Sequence, residues 1–229
     1  MFAWGAIDLS ALWLTLKVAG CATAIALLAG VAFGFMLART RLPGRRLLEA
    51  LLTLPLVLPP TVVGYYLIVT LGRNSALGGW LERAFGVALI FTWQGAVAAA
   101  AVVAFPLVFT SARAAFEGVD AHLEGAARVL GAGEAKVFIQ VTLPLAMRGI
   151  AAGTMLAFAR AMGEFGATLM IAGNIPGKTQ TLSLAVYDAV NSGNDALANA
   201  LVVLISVACI AVLLATGRVL EPTRPVRPR

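Results

Sequence analysis

The sequence predicts an all-α fold, a polytopic membrane helix bundle of about five spans. Of its 229 residues, 60% are hydrophobic and 12% are charged, and the mean hydropathy is +0.91. A soluble domain carries about a quarter charged residues, so much of this chain must face lipid. Five apolar stretches reach the roughly 20 residues that a spanning helix needs. They cover residues 12–38, 47–71, 87–111, 149–172 and 197–217.

A sixth span stays open as an alternative. The apolar run before Arg39 is long enough for part of it to lie along the membrane surface, and residues 75–86 are compatible with a short interfacial helix. Within the second stretch, three prolines in the run LPLVLPPTVVGYY predict a break or kink. Broken helices at membrane depth tend to line a pathway, where Thr61 and Tyr65 would supply polar surface. The alternative is a kink that serves packing alone.

Basic residues indicate the orientation, because cytoplasmic loops of membrane proteins are enriched in Lys and Arg. One set of loops holds twelve such residues and the opposite set holds only Arg73, Arg83 and Lys178. We therefore expect the N-terminus outside, the C-terminus in the cytoplasm and residues 221–229 to form a basic cytoplasmic tail. Lys17 is the first basic residue, which argues against a cleaved signal peptide.

Composition also argues against several classes of function. The basic residues flank apolar runs and are not interleaved with aromatic residues, so nucleic acid is not an expected partner. Cys21 and Cys209 lie in apolar runs at opposite ends of the chain, which predicts neither a disulfide nor a metal site. No cofactor is expected in this chain.

The stretch from about 111 to 148 is the longest predicted cytoplasmic segment. Asp120 is suited to cap a helix, and Gly131 and Gly133 to end it with a turn. A second short turn should then lead to Leu143 and Pro144. A helix this short is unstable alone in water, so its apolar face needs a partner, either the protein's own helix ends or another protein. Its apolar positions at helical spacing are Leu123, Ala126, Ala127 and Leu130.

This segment resembles the coupling motif of ABC-importer permeases, written E-A-A-x-x-x-G, nine further residues and I-x-L-P. Gly125 stands at the position of the motif's glutamate, Glu124 comes one position early, and Val141 replaces the isoleucine. By this resemblance, residues 120–144 dock on a cytoplasmic ATPase. The residues to which it assigns that coupling role are Glu124, Ala126, Ala127, Gly131, Leu143 and Pro144.

Two longer runs, TLPLVLPPTVVGYYLIVTLG and TMLAFARAMGEFGATLMIAGNIPGKTQTL, are similar to permeases of molybdate importers. The similarity covers about residues 10–215 and implies a type I ABC importer permease fold, with a single transmembrane domain at 10–220 in a bacterial inner membrane. It also implies a non-catalytic subunit whose partners are a second copy of itself, ATPase subunits that carry ATP and Mg, and an extracytoplasmic oxyanion-binding protein that docks around 72–86 and 173–196.

Alternative substrates are sulfate, thiosulfate and tungstate. An alternative of another class is a self-sufficient secondary anion transporter, which often shows an inverted repeat. No such repeat is evident in the sequence.

Arg160 and Glu164 are the ionisable pair expected at membrane depth. Four positions separate them, which places both on one face of a single predicted helix. Charges at this depth usually face a bundle interior or a water-filled path. We therefore expect a pair that lines the pathway or stabilises a gate, with a purely structural ion pair as the alternative.

Residues 172–179, AGNIPGKT, formally match a loose P-loop expression. A P-loop needs a preceding strand in an α/β sheet, whereas a membrane span is expected here. We predict that this segment does not bind ATP and belongs to an outer loop.

Overall fold

The computed structural model describes residues 9–40, 43–86 and 88–220, so the predicted basic tail 221–229 lies outside the described residues. Every regular element in these ranges is helical, which confirms the all-α prediction. A short π-helical turn covers Phe138–Thr142. The helices are α1 (Leu9–Arg39), α2 (Arg45–Val57), α3 (Pro60–Leu71), α4 (Ala76–Phe85), α5 (Trp93–Glu117), α6 (Ala121–Val129), α7 (Glu134–Val137), α8 (Leu143–Met162), α9 (Gly166–Ala172), α10 (Leu182–Asn191) and α11 (Asp195–Leu220).

Four stretches of helix in the described ranges are long and apolar enough to cross a membrane. The bent pair α2 and α3 supplies a fifth if it counts as one span, in agreement with the predicted number. A sixth is not found among the described residues. The four are Leu9–Arg39, Trp93–Glu117, Glu134–Met162 and Asp195–Leu214.

The predicted proline break separates α2 from α3, whose axes differ by 113°. Leu58 is extended, with φ −67° and ψ 143°, as expected for a residue before proline. Pro60 begins α3, where its missing N–H costs no hydrogen bond. The short helix predicted within residues 75–86 also forms, as α4. Ser75 caps it by accepting a hydrogen bond from the Gly78 N–H at 2.9 Å.

The core lies where α1 and α8 pack against α5. Small residues allow these helices to approach each other closely. A Cβ at Gly30 would lie 2.8 Å from the Val108 Cβ, and one at Gly149 would lie 2.6 Å from the Ala115 Cβ. In lipid, close backbone approach of this kind stabilises helix pairs through van der Waals contact. Three helices thus form one packed unit.

The predicted fourth span, 149–172, is wrong in its bounds. The helix begins earlier, at Glu134, and ends at Met162. Residues Gly163–Phe165 are not helical and separate it from α9. Leu143 and Pro144, predicted to end a turn, instead begin α8. The π-helical turn lets the helix continue through Pro144. Pro144 has no backbone N–H to donate, and the Leu143 N–H before it donates to the Phe138 carbonyl five residues back, as in a π-helix. The connection from α5 is therefore limited to residues 118–133.

Candidate functional site

Helix α6 forms as the sequence predicts. The Asp120 Oδ1 accepts a hydrogen bond from the His122 N–H at 2.8 Å and caps the N-terminus. At the other end, the Gly131 N–H donates to the Arg128 carbonyl at 2.9 Å and the Ala132 N–H to the Ala127 carbonyl at 3.0 Å. This is a Schellman motif, which requires a left-handed residue after the helix. Gly131 meets that requirement with φ +84°.

Glu124 points into its own chain. It is only 4% exposed, forms an ion pair with Arg39 at the end of α1, and accepts a hydrogen bond from the Thr142 Oγ1 at 2.6 Å. The Arg128 Nη2 lies 4.0 Å from its second carboxylate oxygen. One carboxylate thus joins α1, α6 and the π-helical turn. A buried carboxylate needs such partners, because its desolvation is costly.

Arg128 also bridges the glycine turn. Its Nε and Nη2 donate to the two carboxylate oxygens of Glu134 at 2.7 and 3.1 Å. The hydrogen bonds to Glu134 raise the pKa of the Arg128 guanidinium, so the pair stays charged at physiological pH. Both groups are exposed, so solvent weakens the contact, and its main effect is to fix the geometry of the turn.

Three aromatic rings support this end of the bundle. The Phe35 ring lies 4.6 Å from the Phe138 ring and 5.3 Å from the Phe116 ring, both edge to face. These residues come from α1, the π-helical turn and the end of α5. Aromatic pairs in this geometry add about 1 kcal/mol each beyond their buried area. Helix α6 is therefore fixed to a packed part of the bundle.

The side of α6 away from Glu124 carries an apolar stripe that is exposed in the part of the chain that the structure describes. We call it the coupling face after the role predicted from the sequence, and its residues are Leu123, Ala126, Val129 and Leu130. Val129 is 88% exposed and Leu130 is 87% exposed. Contiguous exposed apolar surface is typical of interaction sites. Val129 is not among the residues predicted from the sequence for this site, although its apolar type beside Leu130 was a usable signal.

The other predicted coupling residues divide between two places. Gly131 and Ala126 are exposed and Ala127 is half-buried. Pro144 is exposed and Leu143 is half-buried in the first turn of α8. Of the six predicted residues, Glu124 alone is buried.

Three of the four predicted pathway residues, Thr61, Arg160 and Glu164, line one cavity of about 240 Å³. We call it the pathway cavity after that prediction. The Arg160 Nη1 lies 2.8 Å from the Glu164 Oε2, so the predicted ion pair is confirmed. The prediction that both residues share one helix is wrong, because α8 ends at Met162. Tyr65 does not line this cavity and is exposed one turn further along α3.

Glu164 has a second contact that explains its position. Its Oε1 accepts a hydrogen bond from the Ala167 N–H at 2.9 Å, at the start of α9. The side chain is 3% exposed. A carboxylate is stabilised at a helix N-terminus by the unpaired N–H groups there. Glu164 therefore connects the end of α8 to the start of α9 across the break.

The segment AGNIPGKT has the wrong surroundings for a phosphate loop. Helix α9 precedes it, and no strand occurs among the described residues. The Thr179 hydroxyl is buried and accepts a hydrogen bond from the Ile175 N–H at 3.0 Å. The loop is thus closed on itself by its own side chain.

Comparisons with known proteins agree with this architecture. The chain is 47% identical over 206 residues to the molybdenum transport system permease protein ModB of Escherichia coli K12, covering 89% of this chain and 90% of that protein. It is 45% identical over 181 residues to the protein of the same name from Haemophilus influenzae, covering 79% of each. The sulfate transport system permease protein CysT of Escherichia coli K12 is 38% identical over 158 residues, 69% of this chain and 57% of that protein.

Two solved structures share the fold. An inward-facing MetNI methionine ABC transporter matches with a TM-score of 0.70 at 20% identity, over 92% of this chain and 93% of that chain. A bacterial ABC transporter involved in the import of the acidic polysaccharide alginate matches with a TM-score of 0.73 at 15% identity, over 95% of this chain and 80% of that chain. The helix arrangement is therefore that of type I ABC importer permeases.

A family model supplies the last observation. It describes the binding-protein-dependent transport system inner membrane component and matches residues 30–223, which include the coupling face and the pathway cavity. Together with the relatives above, this match shows that the chain belongs to the family of binding-protein-dependent transport system inner membrane components.

Proposed function

We propose that the chain is the permease subunit of an ATP-driven molybdate importer in a bacterial inner membrane. The observation that carries the proposal is 47% identity across 89% of the chain to a permease named for molybdenum transport. Sulfate is the second candidate substrate, because a sulfate permease is 38% identical over 69% of the chain. Molybdate and sulfate share tetrahedral shape and charge, so the family fold accommodates either.

In this proposal the chain does not hydrolyse ATP. A separate cytoplasmic ATPase, which carries ATP and Mg, binds the coupling face. Support comes from the exposure of Val129 and Leu130, which would be costly in water without a partner. Glu124 then acts as a positioning residue, because its contacts with Arg39 and Thr142 fix α6 to the bundle.

A second copy of the chain completes the pathway. Support comes from α3, whose exposed side carries Thr61, Tyr65 and Val69 at helical spacing. A polar residue, a tyrosine and an apolar residue on one side of a broken membrane helix suit a path between two copies better than a lipid contact. An extracytoplasmic oxyanion-binding protein delivers the anion to the outer loops.

The orientation follows from the positive-inside rule. Arg39, Arg128 and the other residues of the basic set then lie in the cytoplasm, with the N-terminus outside and the C-terminus inside. Helix α6 accordingly faces the compartment that contains ATP. Loop residues 173–181 face outside.

Substrate identity can be tested in cells that lack their own molybdate importer. The chain would be expressed with its cognate ATPase and binding protein, and uptake of labelled molybdate would be measured with and without a large excess of sulfate. We expect molybdate uptake that sulfate reduces only weakly. Uptake of labelled sulfate with no uptake of molybdate would replace the proposal with the second candidate.

A further inference from the structure

The outer end of α3 borders a second cavity, which we call the outer cavity. Its volume is about 680 Å³, and four parts of the chain line it: the end of α3, the turn into α4, the segment before α5 and the loop after α9. Arg73 and Lys178 contribute its charged side chains. The pathway cavity shares none of these lining residues.

Charge in the outer cavity is of one sign. Arg73 and Lys178 are two of only three basic residues assigned to the outer loops, and they come from loops about a hundred positions apart. No Asp or Glu occurs among the described lining residues. A concave surface with one sign of charge and low-dielectric walls concentrates the field and attracts counter-ions. The apolar walls here include Ile68 and Ile90.

One carboxylate lies near enough to compete for Arg73. The Glu82 Oε1 is 3.3 Å from the Arg73 Nε. The Arg73 side chain is 69% exposed, and an exposed pair of this kind contributes less than about 1 kcal/mol. An incoming divalent anion can therefore displace Glu82 from Arg73.

The wall beside the cations is held in a fixed shape. Phe91 has φ +57°, a region that bulky residues rarely adopt. Its N–H donates to the Ile171 carbonyl at 3.0 Å, and its ring packs so closely on Gly173 that a Cβ there would lie 3.1 Å from the Phe91 Cδ1. Backbone strain of this kind persists where packing enforces it, often at functional sites. The contact links the cavity wall to α9.

We propose that the outer cavity is a low-affinity entry site for a tetrahedral divalent oxyanion, with Arg73 and Lys178 as its ligands. The proposal rests on the proposed import of such an anion and on the orientation given above. Exposed cations suit the task, since a site on a pathway must release what it binds. Helix α3, about 18 Å long, borders the outer cavity at its end and the pathway cavity at its start. The anion then passes along α3 from Arg73 towards Arg160.

Chemical protection of Lys178 tests binding without requiring transport. In spheroplasts that express the complex, a membrane-impermeant acylating reagent would modify the Lys178 amine, and mass spectrometry would measure the rate. We expect millimolar molybdate to slow the modification about threefold or more relative to sodium chloride at equal ionic strength. Arg73→Gln should remove this protection. Equal rates in the two salts would overturn the outer cavity as an anion site.

Transport by matched variants separates an anion site from a structural ion pair. Uptake would be measured at saturating, loaded binding protein for Arg73→Gln, Lys178→Gln and Glu82→Gln. We expect the first two to reduce uptake about fivefold, the effect of losing one exposed ionic contact, and Glu82→Gln to leave uptake unchanged or raise it. Equal losses in Arg73→Gln and Glu82→Gln would show a structural pair and overturn the proposal.

The two assays also distinguish failure of the entry site from failure of the proposed function. Import of molybdate by the wild-type complex with no protection of Lys178 would refute the outer cavity alone. Protection without import would support the cavity and refute the importer. Loss of binding-protein association in Arg73→Gln, with protection of Lys178 intact, would make Arg73 a docking contact and refute its role as an anion ligand.

Discussion

At the scale of single residues, the most informative departure from the coupling motif is the position of Glu124. One position along an α-helix turns a side chain by about 100°, so a glutamate that comes one position before the motif's usual place points away from the coupling face. The structure shows the consequence, because the carboxylate is buried against Arg39 and Thr142. The sequence shows the displacement of Glu124 but not its partners, since 85 positions separate it from Arg39.

We predict that Glu124→Gln loosens α6 in the free permease. The amide can still accept a hydrogen bond from Thr142 but cannot pair with the Arg39 guanidinium, at a cost of about 2 kcal/mol. Hydrogen exchange across residues 121–133, measured in detergent without the ATPase, should become faster, and Arg39→Gln should give the same pattern. Unchanged exchange in the free permease, combined with lost ATPase binding, would instead make Glu124 a direct docking contact.

We also predict that Glu164→Gln lowers transport more than it lowers expression. The introduced amide keeps an oxygen that can accept from the Ala167 N–H, so the α8–α9 connection survives, but Arg160 loses its charge partner at membrane depth. We expect about a tenfold loss of uptake with normal membrane insertion. The double variant Arg160→Gln, Glu164→Gln is the control. Full activity of the double variant would assign the pair a purely structural role.

At the scale of helices, prediction succeeded where local signals agree. Helix α6 has a capping Asp120, a regular apolar spacing and a terminal Gly131, and it forms as expected. Prediction failed at α8 and α9, because apolar residues lie on both sides of Gly163–Phe165 and the whole stretch 149–172 was interpreted as one span. Composition does not reveal that Glu164 leaves the helix to cap the next one. The π-helical turn was also missed, since Pro144 was the one local sign of it.

We predict that Gly131→Glu prevents ATPase association while the permease still folds. A Cβ at this position meets nothing within 4 Å in this chain, so the permease has room for a side chain, although φ +84° makes any L-residue strained by about 1–2 kcal/mol. A charge beside the coupling face adds the cost of desolvation on docking. Co-purification with the ATPase should fall by about tenfold or more.

Gly131→Asn is the matched control, because asparagine tolerates the left-handed conformation and carries no charge. It should keep most ATPase binding. Undiminished co-purification of Gly131→Glu would remove this surface from the docking site.

At the scale of the whole molecule, hydropathy predicted the membrane class and the number of spans, because burial in lipid is a property of composition. It did not predict that α3 and α9 lie together, a contact between residues about a hundred positions apart in which a Cβ at Gly64 would come within 2.6 Å of the Met170 Cβ. Helix α3 borders both the outer cavity and the pathway cavity, and the start of α9 borders the pathway cavity. The unit of α1, α5 and α8 carries the predicted coupling site at the end where Phe35, Phe116 and Phe138 pack together.

The central claim, that this chain transports only when a separate ATPase drives it, is tested most directly by uptake into proteoliposomes. The purified chain would be reconstituted with or without its ATPase, with loaded binding protein and labelled molybdate outside and ATP inside. We predict uptake that requires both the ATPase and ATP, and none from the chain alone under any imposed proton or sodium gradient. Gradient-driven uptake, or ATP hydrolysis, by the chain alone would contradict the claim.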